Sequence, residues 1–169
     1  YVIYNPEQQP LKNPYAFGNA WFVDKLDMVD NADAEIEALN TIDPLRTAVV
    51  DKRFQEDLEG FVPQKDSTAT IVLEEYRPNR LTYKSKADKE QLAVFSEVYY
   101  QPGWKATVDG KEVPHFRADW ILRGMRVPAG EHTIVFEFRP SGYVTAAYVS
   151  SYSSFLILLL LIAAIGWSG

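Results

Sequence analysis

The sequence contains no cysteine. This absence excludes disulfide bonds and thiolate metal ligands, and it fits either a reducing cytosol or a bacterial exterior whose proteins do without disulfides. Histidine is also scarce: the only two are His115 and His132, and neither has a carboxylate at a ligand-like interval. We interpret both as packing residues, because a zinc site needs several such ligands together. The sequence therefore predicts no metal and no cofactor.

Positive charge is in short supply as well. The chain has 17 Lys and Arg against 23 Asp and Glu, for a formal net charge of -6, and no basic cluster is present. Nucleic-acid binding requires a basic face that releases counterions from phosphates, so this class of partner is excluded. The G-x-S-x-G, H-E-x-x-H and phosphate-binding glycine-rich motifs are also missing, and we predict no catalytic residue.

Charge is absent altogether from Pro140 to the C-terminus. At about 1.5 Å per helical residue, residues 143–167 are long enough to cross a hydrocarbon layer of about 30 Å. We therefore predict a transmembrane helix over 143–167, with the lipid bilayer as a partner. Its first turns have to come from the more polar stretch "YVTAAYVSSYSS". A buried core helix is the alternative that the sequence leaves open.

Alternating hydrophobicity and turn residues dominate residues 70–140. In "LTYKSKA" the apolar and polar positions alternate, as in a strand with one face in water. "WKATV" and "KEVPHF" flank Asp109-Gly110, a pair that favours a type I′ hairpin. "WILRGMRV" and "HTIVFEF" are predicted to pair across "PAGE". This pattern predicts an antiparallel β-sandwich or a jelly-roll-like domain.

Residues 1–69 show a mixed pattern. "DNADAEIEALN" predicts a helix capped by Asp30 or Asn31 and ended before Pro44, and "RTAVVD" predicts a buried strand. We therefore predict a mainly β fold. A small α/β part at 1–69 packs on the β-sandwich region at 70–140 of the same domain, and the transmembrane helix follows.

Aromatic and polar residues form one candidate site. Flat aromatic faces flanked by Arg and Asp can bind sugars by stacking and hydrogen bonding, although the same residue types also build sandwich cores. An Arg117–Asp119 pair could equally be a surface ion pair of little energetic weight. The predicted glycan contacts are Trp104, Trp120, Arg117, Asp119 and Tyr100.

Four stretches carry a resemblance to a known family. They are "AVFSEVYYQPGWKATVDGKEV", "PAGEHTIVFEFRP", "GNAWFVDKLDMVDNADAEIEALN" and "TAVVD". On these residues the chain resembles the C-terminal region of the YfhO-like bacterial membrane proteins, from about residue 17 to the terminal helix. The chain begins at Tyr1 without Met or a signal sequence, and we expect it to be a piece of a longer protein.

The resemblance implies a polytopic membrane protein related to lipid-carrier-dependent glycosyltransferases. Such proteins are expected to move a sugar from a polyprenyl-phosphate donor to a cell-envelope polymer or lipid. The implied location is the bacterial cytoplasmic (inner) membrane, with the β-domain extracytoplasmic. The implied partners are the remaining transmembrane part of the same protein and an envelope glycan or lipid-linked sugar. The superfamily's catalytic carboxylates lie in an N-terminal loop that this sequence does not contain, so no catalytic residue is carried over.

Three functions are compatible with these observations. The first is an accessory or acceptor-guiding domain of a glycosyltransferase, itself non-catalytic. The second is a structural or glycan-binding ectodomain anchored by its C-terminal helix. The third, a tethered hydrolase, needs two carboxylates about 5 to 9 Å apart in a cleft.

Overall fold

The computed structural model of the protein describes residues 7–9, 11 and 16–167. Within these residues the chain is mainly β, as predicted. The strands are β1 Ala20–Val23, β2 Lys25–Val29, β3 Thr47–Asp51, β4 Thr70–Arg77, β5 Arg80–Ala87, β6 Gln91–Val98, β7 Trp104–Val108, β8 Lys111–Val113, β9 Phe116–Ala118, β10 Leu122–Val127 and β11 Gly130–Phe138. The helices are α1 Ala32–Ala38, α2 Ser141–Trp167 and a 3-10 helix, Lys52–Leu58.

Two antiparallel sheets form the sandwich. One has four strands in the order β1-β6-β10-β9, and the other has five in the order β4-β5-β11-β7-β8. Alternate side chains of both sheets meet in the core between them. At its centre the Phe95 ring lies 4.9 Å from Tyr83 and 4.8 Å from Phe136, measured between ring centroids. The predicted antiparallel β-sandwich is confirmed.

A third layer covers the other face of the four-stranded sheet. It consists of the parallel pair β2 and β3, the helix α1 that connects them, and the 3-10 helix. A second core lies between this layer and the sheet and contains Ala48, Val50, Val94 and Phe116. Strand β6 is therefore buried on both faces, which explains why "QLAVF" is continuously apolar.

Helix α1 begins where its sequence predicts. The Asn31 side chain accepts a hydrogen bond from the backbone N–H of Ala34 at 2.9 Å, which satisfies one of the amides left free at a helix start. The predicted buried strand at "RTAVVD" is confirmed by β3, which is largely buried. The stretch "GNAWFVDKLDMV" forms two strands, β1 and β2, which join different sheets.

Strand pairing in the second half of the chain is partly as predicted. The β7–β8 hairpin turns at Asp109-Gly110, whose φ angles of 50° and 81° are the left-handed values that a type I′ turn needs. The predicted pairing of β10 with β11 is wrong. Met125 of β10 and Ile134 of β11 both point into the central core, so the two strands belong to opposite sheets, and the chain crosses between them at the "PAGE" turn.

The predicted C-terminal helix exists as α2. Its described side chains are exposed, with Leu156 at 57% and Ile157 at 58%, so α2 is not a core helix. Among the described residues, no helix is both apolar enough and long enough to cross a membrane. The transmembrane part of the prediction is therefore not supported: its length included a first half rich in hydroxyl groups, two of which, on Ser153 and Ser154, bond back to helix carbonyls.

Candidate functional site

The predicted glycan contacts do not form one site. Trp104 lines a cleft at one end of the five-stranded sheet, whereas Asp119 and Trp120 line a separate groove. Arg117 belongs to a largely buried charge cluster. Tyr100 is 53% exposed and lines neither cavity. The structure therefore places three of the five predicted contacts in two separate cavities and the other two in neither.

We refer to the first cavity as the Trp104 cleft. Its volume is about 680 Å³, which lies within the range of small-molecule sites. Its rings come from Phe54, Tyr99, Trp104 and His115, and its charged and amide groups come from Arg53, Asp57, Gln101, Lys105, Glu112 and Arg139. Aromatic faces and hydrogen-bonding groups thus line the same cleft.

The Trp104 ring is held in place from the core side. The guanidinium carbon of Arg123 lies 4.1 Å from its centroid, and the Phe138 ring lies 5.3 Å away. Arg123 is only 2% exposed, and its Nε donates to the carbonyl of Val98 at 3.0 Å. Such a contact between a cation and a ring is stronger where water is excluded. Trp104 therefore packs on the core and also faces the cleft.

The loop before Trp104 joins the cleft to the start of α2. The backbone N–H of Arg139 donates to the carbonyl of Gly103 at 2.6 Å. Gly103 has a φ of 108°, and an added Cβ would lie 2.8 Å from a ring carbon of Phe138. Only glycine satisfies both the angle and the close approach. The Pro-Gly-Trp sequence therefore serves to hold the end of β11 against the cleft wall.

His115 is a neutral member of the cleft. Burial, and then the positive charge of Arg123, lowers the pKa of His115 to about 4. The imidazole packs edge-on against Tyr99 and Phe136. Its Nε2 is buried and has no hydrogen-bond partner in the part of the chain that the structure describes. His115 is thus uncharged at neutral pH and contributes an aromatic ring to the cleft wall.

We refer to the second cavity as the Trp120 groove. Its volume is about 990 Å³. Its walls are mostly apolar and come from Phe17, Trp21, Leu39, Pro44, Trp120, Ile121 and Leu122, with Asn19, Ser96 and Asp119 as the polar members. The Trp21 ring is fixed by a hydrogen bond from its Nε1 to the carbonyl of Pro44 at 3.0 Å. No lysine or arginine lies among the described residues that line it.

The turn that carries Trp120 has an unusual backbone. Asp119 and Trp120 have φ angles of 50° and 70°, a region that residues other than glycine occupy only at a cost. Buried partners hold the turn: the Trp120 N–H donates to Glu35 Oε1 at 2.9 Å, and the Asp119 N–H donates to the carbonyl of Val49 at 2.8 Å. The Val49 N–H donates to Asp119 Oδ1 at 2.8 Å in return.

Arg117 does not pair with Asp119, so the alternative of a surface ion pair between these two residues is wrong. Its guanidinium instead contacts Glu35 at 2.5 Å and Asp51 at 3.5 Å, in a cluster where both carboxylates are almost fully buried. The left-handed turn sends the Asp119 side chain to the Val49 amide instead. Sequence reasoning missed Glu35, because a glutamate in the first turn of a helix is ordinarily explained by the helix dipole.

The charge of Asp119 predicts an unusual pH dependence. Burial, with a smaller contribution from the charge of Glu35, raises the pKa of Asp119 to about 6, against the opposing bond from Val49. The folded chain then binds more protons than the unfolded chain between about pH 4 and 6. The free energy of unfolding should therefore fall as the pH rises through this interval, by up to about 3 kcal/mol from this group. Asp119→Asn should remove this fall.

Denaturant unfolding at pH 4.5 and 7.5 measures the effect. Groups that do not interact with Asp119 contribute equally to both chains, so the comparison isolates Asp119 together with its coupling to Glu35. We expect the wild type to lose more stability than the variant on going to pH 7.5. Equal losses would show that the Asp119 carboxylate carries no burial penalty.

The described residues contain no group of three or more His, Asp or Glu side chains that could hold a metal ion.

Fold and cavities together define a class: a β-sandwich domain that carries two surface cavities and continues into a C-terminal helix. Residues 55–150 match the family model described as "Bacterial membrane protein YfhO". The chain therefore belongs to this family of bacterial membrane proteins, as its resemblance predicts. Searches of the curated proteins and of the solved structures found no match to this chain.

Proposed function

We propose that this chain is a non-catalytic, glycan-binding domain of a YfhO-family membrane protein. In this proposal it guides an envelope glycan, as acceptor, to a polyprenyl-phosphate-sugar-dependent glycosyltransferase in the remaining part of the protein. The observation that carries the proposal is the Trp104 cleft, in which aromatic faces and hydrogen-bonding side chains lie beside the start of α2. Family membership supports a location at the membrane.

The cleft has the chemistry that sugars require. Tyr99 and Trp104 offer ring surface to the C–H faces of a pyranose. Gln101, together with the Lys105–Glu112 pair at 3.0 Å, offers donors and acceptors for hydroxyl groups. These groups are exposed and solvated, so exchanging water for sugar hydroxyls costs little. The cleft therefore suits a polar ring better than a purely apolar ligand.

The position of the cleft suits a protein that acts at a membrane surface. We propose an extracytoplasmic β-domain, with residues 1–69 and 70–140 as one unit, on the outer face of the cytoplasmic membrane. The sequence of α2 carries no charge, and its described side chains are exposed. In the proposal this helix, the segment 143–167, contacts lipid or the remaining transmembrane part.

Glycan binding by the full chain tests this function. The chain would be held in a polyoxyethylene detergent, which contains neither sugar nor charge, and exposed to an array of bacterial envelope glycans. Trp104→Ala should weaken any binding at least tenfold, a loss of about 1.4 kcal/mol. Tyr100→Ala is the matched control, because Tyr100 is an exposed aromatic outside the cleft, and it should bind as the wild type does.

The outcomes separate the alternatives. A wild-type chain that binds no envelope glycan would favour the structural ectodomain, whose supporting observation is the exposed apolar side chains of α2. Binding that survives Trp104→Ala, in a variant with a normal unfolding midpoint, would remove the cleft from the proposal.

A further inference from the structure

We propose that the Trp120 groove binds an organic cation, a quaternary or tertiary ammonium group on a small apolar body. This site is separate from the Trp104 cleft and does not depend on glycan binding. Three features of the groove support it: its aromatic walls, the charge beneath it and the backbone of the turn that presents Trp120.

The described walls of the groove supply aromatic ring faces and carry no positively charged side chain that would repel a cation. Phe17, Trp21 and Trp120 all line the groove, and Phe17 packs edge-on against Trp21 with centroids 5.3 Å apart. Tryptophan has the most favourable ring face for a cation. Among the described lining residues there is no lysine or arginine. An anionic ligand would find no counter-charge there.

The charge beneath the groove is negative and incompletely compensated. Asp119 is 6% exposed, and its Oδ2 is buried with no hydrogen-bond partner among the residues described. Glu35 and Asp51 are buried nearby in the same network, and Arg117 is the cation that they share. Arg53 pairs with Asp51 from the exposed side. Because buried charges are screened weakly, the excess carboxylate would attract a cation in the groove.

The turn is held in its shape by this same acidic network. Two consecutive residues with left-handed φ angles persist only where their surroundings fix them, and such strain is concentrated at functional sites. Glu35 fixes the turn through the Trp120 N–H. The carboxylates therefore both supply the charge and aim Trp120, which is 41% exposed, at the groove.

A pair of matched probes tests the inference. Choline and 3,3-dimethyl-1-butanol have nearly the same shape, but only choline carries a charge. Binding to the full chain in polyoxyethylene detergent would be followed by tryptophan fluorescence and calorimetry at pH 7.5. We expect choline to bind at least fivefold more tightly than the alcohol. Equal affinities, or binding of neither probe, would overturn the proposal.

Variants then assign the preference to these residues. Asp119→Asn should abolish the preference for choline while leaving the affinity for the alcohol unchanged. Trp120→Leu keeps the apolar volume but removes the ring face, so it should also abolish the preference for choline. Tyr100→Leu is the control and should change nothing. A preference that survives both Asp119→Asn and Trp120→Leu would overturn the assignment to this groove, even if choline binds elsewhere.

The pH dependence gives a second readout. Choline binding should weaken as the pH falls from 7.5 to 5, because Asp119 becomes protonated, whereas binding of the alcohol should not change. Four other charged groups face this network: Glu35 from α1, Asp51 from β3, Arg117 from β9 and Arg53 from the 3-10 helix. A choline affinity independent of pH in this range would contradict a role for Asp119.

Discussion

Glu35→Ala should destabilise the fold by about 3 to 5 kcal/mol, the cost of removing one partner from a buried ion pair. Glu35 is fully buried, and its carboxylate accepts from both Arg117 and the Trp120 N–H. The substitution leaves the partly buried Arg117 with only the weaker contact to Asp51 and leaves the strained turn without its anchor. Two costs therefore combine at one position.

Chemical unfolding of the variant measures the loss, and Glu37→Ala is the control on the same helix, where Glu37 is exposed. Its cost should stay within about 0.5 kcal/mol, as is usual for surface changes. Glu35→Gln should fall between the two, because it retains an acceptor for the Trp120 N–H but loses the charge. If Glu35→Ala cost no more than Glu37→Ala, the charge cluster would have no part in holding the fold.

Gly124→Ala should cost about 3 kcal/mol, at the upper end for overpacking a core. Gly124 lies in β10, and an added Cβ would stand 3.1 Å from the Ala118 Cβ and closer still to the ring of Phe116. Phe116 is 1% exposed and is enclosed between the four-stranded sheet and the third layer. Its ring has no solvent side to move into.

The matched control is Gly142→Ala, where an added Cβ would meet nothing within 4 Å. Gly142 is the second residue of α2, where alanine gains less over glycine than the about 0.5 to 1 kcal/mol of a helix interior, so this change should be close to neutral. The two changes are chemically identical, so a loss of stability at Gly124 alone would report the packing there. Combining Gly124→Ala with Phe116→Leu should recover part of the loss. Without such coupling, the cost would have to come from another contact.

Local features of this fold are readable from the sequence. The Asp109-Gly110 turn, the Asn31 cap and the alternation along β5 each depend on neighbouring residues, and each is confirmed. The distribution of strands between sheets is not local. Met125 and Ile134 are equally apolar whether their strands pair side by side or face each other across a core, so the sequence could not separate a hairpin from a crossover.

The candidate sites show the same limit. The aromatic residues Trp104 and Trp120 are recognisable as surface candidates, but only the fold reveals that they serve separate cavities. Arg117 looks like the natural partner of Asp119 two residues away, yet its partner at 2.5 Å is Glu35, 82 positions earlier in the chain. A contact of that separation leaves no trace in composition or spacing.

The joint between β11 and α2 consists of Arg139 and Pro140 alone. Because the Arg139 amide is bonded to Gly103, and Gly103 adjoins Trp104, the helix and the cleft wall share one mechanical support. A tilt of α2 would therefore be transmitted through Arg139 to Gly103 and the wall of the Trp104 cleft. A partner that binds the helix and tilts it would change the width of the cleft.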